Sequence, residues 1–267
     1  MKWLKRLFRR VRFIFDVAHT LGADLPSKVK MVAGGIWLLI NDSWKSRLRF
    51  TAQICLDGRS CPFFFEDAGD FELLDEVFLK GSYYFSQLAG DRPVIFDIGA
   101  NIGVSTLFFA LKWPGATICS VEPDPENFRR LKQITSVLPN ISLYNLAVWS
   151  EISEIPFYRN VKRGSSSSVL STGNHKEKIF IATITLSELM EQTGTKQVSL
   201  LKFDVEGAEE KVFSGFTQFQ NIEQLAGELH HDLCNTSGLV ETLKKKYNKI
   251  EFHPLKEKRE YVIATRE

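Results

Sequence analysis

The stretch VIFDIGANIGVSTLFFA, residues 94–110, constrains this chain more than any other. An apolar run of strand type ends on Asp97, glycines follow at 99 and 103, and helical spacing begins at once. A strand that turns through glycines straight into a helix opens a doubly wound parallel sheet, whose ligands sit at the carboxyl end of that first strand. A dinucleotide site would have glycine at the first position of a GxGxxG turn, with pyrophosphate on the helix N-terminus. Asp97 stands there instead. An acid repels phosphate and suits a ligand with an ammonium group and no phosphate.

S-adenosylmethionine is such a ligand, carrying an ammonium, a sulfonium and a neutral ribosyl-adenine. The next strand supports it. SVEPDP puts Glu122 at that strand's end, 25 residues after Asp97, where an acid can accept hydrogen bonds from both ribose hydroxyls. Strands and helices alternate around this pair: PVIFDI, VSTLFFALK, ATICSVE, PENFRRLKQITSVL and ISLYNLA. Residues 148–197 interrupt the alternation with a polar, hairpin-like insert that holds GSSSS at 164–168, the strand KIFIATI and the helix SELMEQT. VSLLKFDVEG, NIEQLAGELHH and TSGLVETLKKKY resume it, and NKIEFHP and EYVIATR are two last strands.

Ahead of this domain the chain reads differently. Residues 1–12 carry six Lys/Arg and no acid, although the net charge of the whole is only +2. With Trp3, Leu4, Leu7, Phe8, Val11, Ile14, Phe15 and Ala18 at helical spacing, residues 1–18 predict a basic amphipathic helix. Such a helix fits an anionic membrane surface and fits equally a packing role on its own domain or on a second copy in a homodimer. RLRFTAQICLDGRSCPFFF, residues 47–65, predicts a β-hairpin turning at Asp57-Gly58, and a helix follows from Phe71 to Leu79, stopped by Gly81. The expected division is a helical extension at 1–45, a hairpin-and-helix covering layer at 46–90 and a catalytic domain at 91–267. Cys55, Cys61, Cys119 and Cys234 show no framework or metal spacing and read as reduced, mostly buried thiols. No apolar run approaches the roughly 18–20 residues of a membrane span. A cytoplasmic protein, membrane-peripheral through its first helix, is the expectation.

DIGANIGVSTLFFA, SVEPDPENF, NLAVWSE, the GSSSS loop, TITLSEL and LLKFDVEGAEEKVFSGF, in this order, resemble the FkbM family of S-adenosylmethionine-dependent methyltransferases. The resemblance covers about residues 70–230, and LLKFDVEGAE at 201–209 is its most specific part. It implies a Rossmann-like class I methyltransferase sheet, mostly parallel with an antiparallel last strand. The implied activity is methyl transfer to a hydroxyl of a sugar, glycolipid or polyketide-type molecule. On the matching positions, Asp97, Gly99, Asn101 and Gly103 would form the methionine side of the donor pocket and Glu122 would hold the ribose. Asn145, Ala147 and Val148 would line the adenine edge, and Tyr83 or Tyr84 would lie over the donor. The usual acid pair of the TLDDL segment is reduced here to TLSEL, with Glu188 alone.

Methyl transfer requires an aligned acceptor oxygen and an exit for its proton. Lys202, Asp204 and Glu206 alternate onto one side of the stretch that ends the fourth strand, and His230 ends the next strand in GELHHD. These four are the catalytic candidates, with helix capping as the competing role for Asp204 and Glu206. Metal-free base catalysis ranks ahead of a divalent cation held by Asp204 with His230 or Glu228, because no dedicated ligand spacing is visible in the sequence. An RNA methyltransferase and a non-catalytic donor-binding protein are the alternatives. The acidic core, with no stacking module for bases, argues against a nucleic-acid partner.

Overall fold

In the computed structural model the described residues are 2–40, 49–81, 88, 90–160, 176–256 and 258–266. They fall into two units, Met1–Tyr84 and Phe85–Glu267.

The first unit joins what the sequence divided into an extension and a covering layer. Helices α1 (Lys2–Leu21) and α2 (Leu25–Ile40) precede the hairpin of β1 (Phe50–Leu56) and β2 (Arg59–Phe65). The hairpin turns at Asp57 and Gly58, φ +50° and +78°, the conformation that an Asp-Gly pair adopts readily. Helix α3 (Gly69–Leu74) follows and runs on as one wide turn, Asp75–Leu79. Ile14, Val17, Ala18 and Leu21 recur at i, i+3, i+4 and i+7 on α1 and are all buried. The two glycines of α2 admit close neighbours. A Cβ on Gly34 would meet the Phe50 ring at 2.3 Å, and one on Gly35 would meet Ile14 at 2.7 Å and Phe71 at 2.9 Å. At the α1–α2 junction, Ala23 N donates to Gln53 O (2.9 Å) and Gln53 N donates to Ser27 Oγ (3.1 Å), which pins both helices to β1. No described helix is long and apolar enough to cross a membrane.

The second unit is a doubly wound α/β domain. Its elements are β3 (Val94–Ile98), α4 (Val104–Lys112), β4 (Thr117–Val121), α5 (Pro125–Thr135) and β5 (Ile141–Tyr144). The insert contributes β6 (Ala147–Val148), β7 (Glu154–Asn160) and β8 (Lys176–Ile184), followed by α6 (Leu186–Gln192). Then come β9 (Val198–Phe203), α7 (Glu209–Phe213), β10 (Ile222–His230), α8 (Ser237–Lys246), β11 (Lys249–Lys256) and β12 (Arg259–Thr265). The seven-stranded sheet runs β11-β12-β10-β9-β3-β4-β5. Strands β5, β4, β3, β9 and β10 are mutually parallel, and β12 lies antiparallel between β10 and β11. This is the mostly parallel sheet with an antiparallel last strand.

One helix is shorter than expected. Helix α5 stops at Thr135 and does not reach Leu138, the chain closing in a turn in which Leu138 N donates to Thr135 O (2.9 Å). The helix after Gly207 has only five residues, ending where Gly215 takes φ +73°. Helix α6, by contrast, carries a full capping box between Thr185 and Glu188. The lone acid of the TLSEL segment is therefore a cap. Among the described residues the four thiols are free, with Cys61 and Cys119 buried.

Candidate active site

The ends of β3, β4 and β9 open on one cleft of about 670 Å3, which Gly99, Asn101, Glu122, Asp204 and Glu206 help to line. The turn after β3 is clamped from both sides. Gly99 N and Ala100 N both donate to Val121 O, at 2.9 and 3.0 Å. On the other side the turn lies directly on the end of β9: at Gly99, φ +75°, a Cβ would stand 1.9 Å from Asp204 O. Any side chain there forces β3 and β9 apart. Glycine at this position is thus a requirement of the strand packing as much as of the ligand.

Glu122 is buried at the end of β4, and backbone amides fix both of its oxygens. Asn101 N donates to Oε2 and Asp124 N to Oε1, each at 2.8 Å. Burial pushes its carboxyl up to about 7, against the pull of those two amides. Asp124 in turn caps α5, accepting from Glu126 N (2.8 Å), and its other oxygen stands 3.2 Å from Arg159 Nε on β7. The insert strand is tied in this way to the loop that carries Glu122.

Several predicted residues take other places. Asp97 is fully buried and off the cleft wall. Its Oδ2 accepts from Ser105 Oγ and Thr106 Oγ1, both at 2.7 Å, and its Oδ1 lies 3.0 Å from Lys202 Nζ. Lys202 also donates to Gly99 O at 2.6 Å and is 2% exposed. These two expected contacts with ligand and acceptor are in fact one ion pair beneath the turn. Lys202 pairs in register with Asp97 of β3 on the same face of the sheet, and of this stretch the residues beyond Phe203, where β9 ends, reach the cleft. Gly103, φ +98°, starts α4, and a Cβ there would meet Leu131 of α5 at 2.8 Å, so it too is a packing glycine. Asn145 is exposed and braces the loop after β4, its Nδ2 donating to Glu122 O (2.8 Å) and Pro123 O (3.1 Å). Ala147 and Val148 do line the cleft. Tyr83, Tyr84 and the serines at 164–168 lie outside the described residues.

Asp204 and Glu206 stand at the cleft, and neither caps α7, whose N-cap is Ala208 without a side-chain bond. Asp204 Oδ1 is buried with no hydrogen-bond partner. Glu206 adopts φ +49°, a left-handed conformation uncommon for glutamate. Burial, reinforced by Asp204, pushes the Glu206 carboxyl up to about 7, with His230 and Arg259 opposing. His230 is fully buried and absent from the cleft wall. Burial disfavours its cation, but the Glu209 hydrogen bond and charge, with Asp204 and Glu206, overcome this and lift it to about 9. The residue expected to act as general base is thus set back from the cleft, its Nε2 lying 3.5 Å from Glu206 and 3.4 Å from Glu228.

Sequence reasoning missed Trp149 and Phe157, which also line the cleft. Trp149 directly follows the Ala147–Val148 pair and could have been read with it. Phe157 could not, since it belongs to the insert strand Glu154–Asn160, and no local pattern shows that this strand folds back to the cleft.

This strand order, with a buried acid at the end of the second strand of the core and two more acids beside the first, defines a Rossmann-like class I methyltransferase. The chain belongs to the methyltransferase FkbM domain family, whose model matches residues 97–257. Among curated relatives, 2-O-methyltransferase NoeI of Sinorhizobium fredii is 26% identical over 54% of this chain and 70% of its own length. The 31-O-demethyl-FK506 methyltransferase FkbM of Streptomyces tacrolimicus is 26% identical over 66% of this chain and 81% of its own. Hexuronic acid methyltransferase AglP of Haloferax volcanii is 29% identical over 53% and 58%. Among solved structures, precorrin-6y C5,15-methyltransferase from Geobacter metallireducens GS-15 aligns over 67% of this chain and 83% of that one, at TM-score 0.39 and 14% identity.

Proposed function

We propose that this protein transfers a methyl group from S-adenosylmethionine to a hydroxyl of a sugar, glycolipid or polyketide-type small molecule. The observation that carries the donor assignment is Glu122. Two backbone amides hold its oxygens in place at the cleft, where a carboxylate favours a ribose diol and repels a phosphate. When bound, the donor supplies an electrophilic methyl carbon whose bond pair returns to sulfur as an incoming hydroxyl oxygen displaces it. Asn101 and Gly99 shape the methionine side, and Ala147, Val148 and Trp149 give the base an apolar wall. Asp204 orients the acceptor hydroxyl and takes its proton, because its Oδ1 is an acceptor without a donor at the cleft. Two of the relatives are named as O-methyltransferases at a 2-position and at a demethylated FK506 oxygen, and a third as a hexuronic acid methyltransferase, which favours a hydroxyl-bearing acceptor here.

Calorimetry with S-adenosylhomocysteine tests the donor, and a radiolabelled methyl assay over sugars, glycolipids and RNA tests the acceptor class. Label on RNA alone would sink the small-molecule reading, and binding without label on any acceptor would favour a donor-binding protein.

A second part of the proposal concerns location: the first unit seats the enzyme on an anionic bilayer. On α2, Leu25, Val29, Trp37 and Ile40 are exposed at roughly helical repeats, and on α1, Leu4, Phe8 and Phe15 are exposed among Arg and Lys side chains. Exposed apolar residues beside basic ones suit an interfacial helix pair.

A further inference from the structure

At the end of β10 a group of side chains is assembled more elaborately than a proton relay requires. Asp204, Glu228 and His230 each present a ligand atom, and these atoms lie within 4.8 Å of one another. His230 is fully buried, and its Nε2 makes no hydrogen bond although it faces Glu228 at 3.4 Å and Glu206 at 3.5 Å. Its other nitrogen is held. Nδ1 donates to Glu209 Oε1 at 2.6 Å, and Glu209 is anchored by Gly207 N (3.1 Å) and Cys234 Sγ (2.9 Å). A carboxylate that fixes one imidazole nitrogen and turns the other toward two further carboxylates is the outer arrangement of a metal-binding histidine.

The charges point the same way. Asp204, Glu206, Glu209, Glu228 and Asp232 crowd around His230 and Arg259, with Arg259 spread over Glu228 (3.4 Å) and Asp232 (3.3 Å). A bound divalent ion would relieve that excess. At about 2.2 Å from each ligand it would set them about 3–4.4 Å apart, so the present span closes with small side-chain shifts.

We propose that Asp204, Glu228 and His230 form a divalent-cation site at the edge of the cleft, of the oxygen-rich, one-imidazole type that Mn²⁺ suits better than Mg²⁺. Binding puts the metal on Nε2 and sends any proton there to solvent. Open coordination positions would take the acceptor hydroxyl, whose proton is more readily lost beside the metal. That role rests on the methyltransfer reading, whereas the binding of the ion does not. It also reverses the ranking that the missing ligand spacing gave in the sequence, since β9 and β10 bring together residues 24 and 26 positions apart.

The test is calorimetry and Mn²⁺ paramagnetic resonance on the full chain, with S-adenosylhomocysteine titrated into the same samples. One Mn²⁺ per chain is expected, weakened about tenfold or more in Glu228→Gln and His230→Gln, and by about 10–100-fold in Glu209→Gln, which acts through His230. Circular dichroism checks that each variant is folded. Should the buried His230→Gln fail to fold, Asp204→Asn at the cleft gives the same readout. Absence of saturable Mn²⁺ binding, or equal binding by wild type and the folded variants, overturns the site. S-adenosylhomocysteine bound without Mn²⁺ sinks the cation alone. Mn²⁺ bound without S-adenosylhomocysteine supports the cation and sinks the donor assignment.

Discussion

The two units break the usual rule of burial in opposite directions. The second buries charge: Asp97, Glu122, Lys202, Glu209 and His230 are each at most 5% exposed. The first exposes apolar bulk: Leu4, Phe8, Leu25 and Ile40 are 59%, 71%, 74% and 69% exposed. A single exposed leucine needs no explanation, but buried ions and repeated exposed aromatics and leucines do. In the second unit the ions answer one another or face a cleft. In the first, one face of each helix packs on its own unit while Leu4, Phe8, Leu25 and Ile40 stand exposed on the other. The contrast teaches where to look for what binds: a small polar ligand in one unit, an apolar surface beside the other.

The largest effect that would break this comparison lies at the cleft. Asp204→Asn keeps the shape of the site and should leave S-adenosylhomocysteine affinity nearly unchanged, while turnover falls by about 10²–10⁴-fold. Full activity in a sample with normal donor binding would show that the buried acceptor atom of Asp204 is idle.

The next concerns the ions away from the cleft. Lys202→Met strands the Asp97 carboxylate in the core and should lower stability by about 3–5 kcal/mol in urea unfolding. Adding Asp97→Asn should recover part of that loss. A Lys202→Met protein as stable as wild type would mean that the pair contributes nothing to joining β3 with β9.

How much of this was legible depended on distance along the chain. Glu122 could be placed because it ends a strand one crossover after Asp97, and the hairpin could be placed because Asp57-Gly58 sets a local turn. Asp204 and Glu206 do meet at the cleft, though through the loop after β9 and not by strand alternation, whereas Lys202 is drawn off by a buried acid on the neighbouring strand that a one-strand pattern does not show. The roles of Asp97 and Gly103 were misread for the same reason: ligand pockets and tight strand–helix packing demand the same residues. His230, Glu209 and Cys234 meet only through β10 and α7, and no local signal marks such a triad.

A third, smaller effect sharpens the account of Glu122. Glu122→Ala should weaken S-adenosylhomocysteine by about 1.5–3 kcal/mol, the range for a hydrogen bond to a charged group. The pH dependence has a definite sign. With its carboxyl raised from 4.5 to about 7 in the folded protein, Glu122 accepts ribose hydroxyls best once ionised, so donor affinity should rise as pH climbs through 7. The same shift works against folding. The folded state holds its proton longer than the unfolded chain, so this group's contribution to stability is lost as pH rises from 4.5 to about 7. Glu122→Gln should flatten both slopes, and a wild-type affinity independent of pH from 6 to about 8 would contradict the assignment.

The smallest expected effect tests the other half of the comparison. If α1 and α2 rest on lipid, the intact protein should sediment with anionic vesicles at low salt. Each basic side chain near such a surface contributes about 1 kcal/mol, so Arg9→Gln should weaken partition only about fivefold. At about 0.5 M salt that difference should vanish, because the interaction is screened. Trp37→Ser acts through apolar burial and should weaken partition at both salt concentrations. Arg9 is exposed on α1 and Trp37 is 48% exposed on α2, and circular dichroism with S-adenosylhomocysteine binding checks that each variant is folded. The pair of variants separates charge from apolar contact on one surface. A protein that ignores anionic vesicles yet runs as a dimer, dissociated by Trp37→Ser, would give this face to a second copy of the chain instead of a membrane.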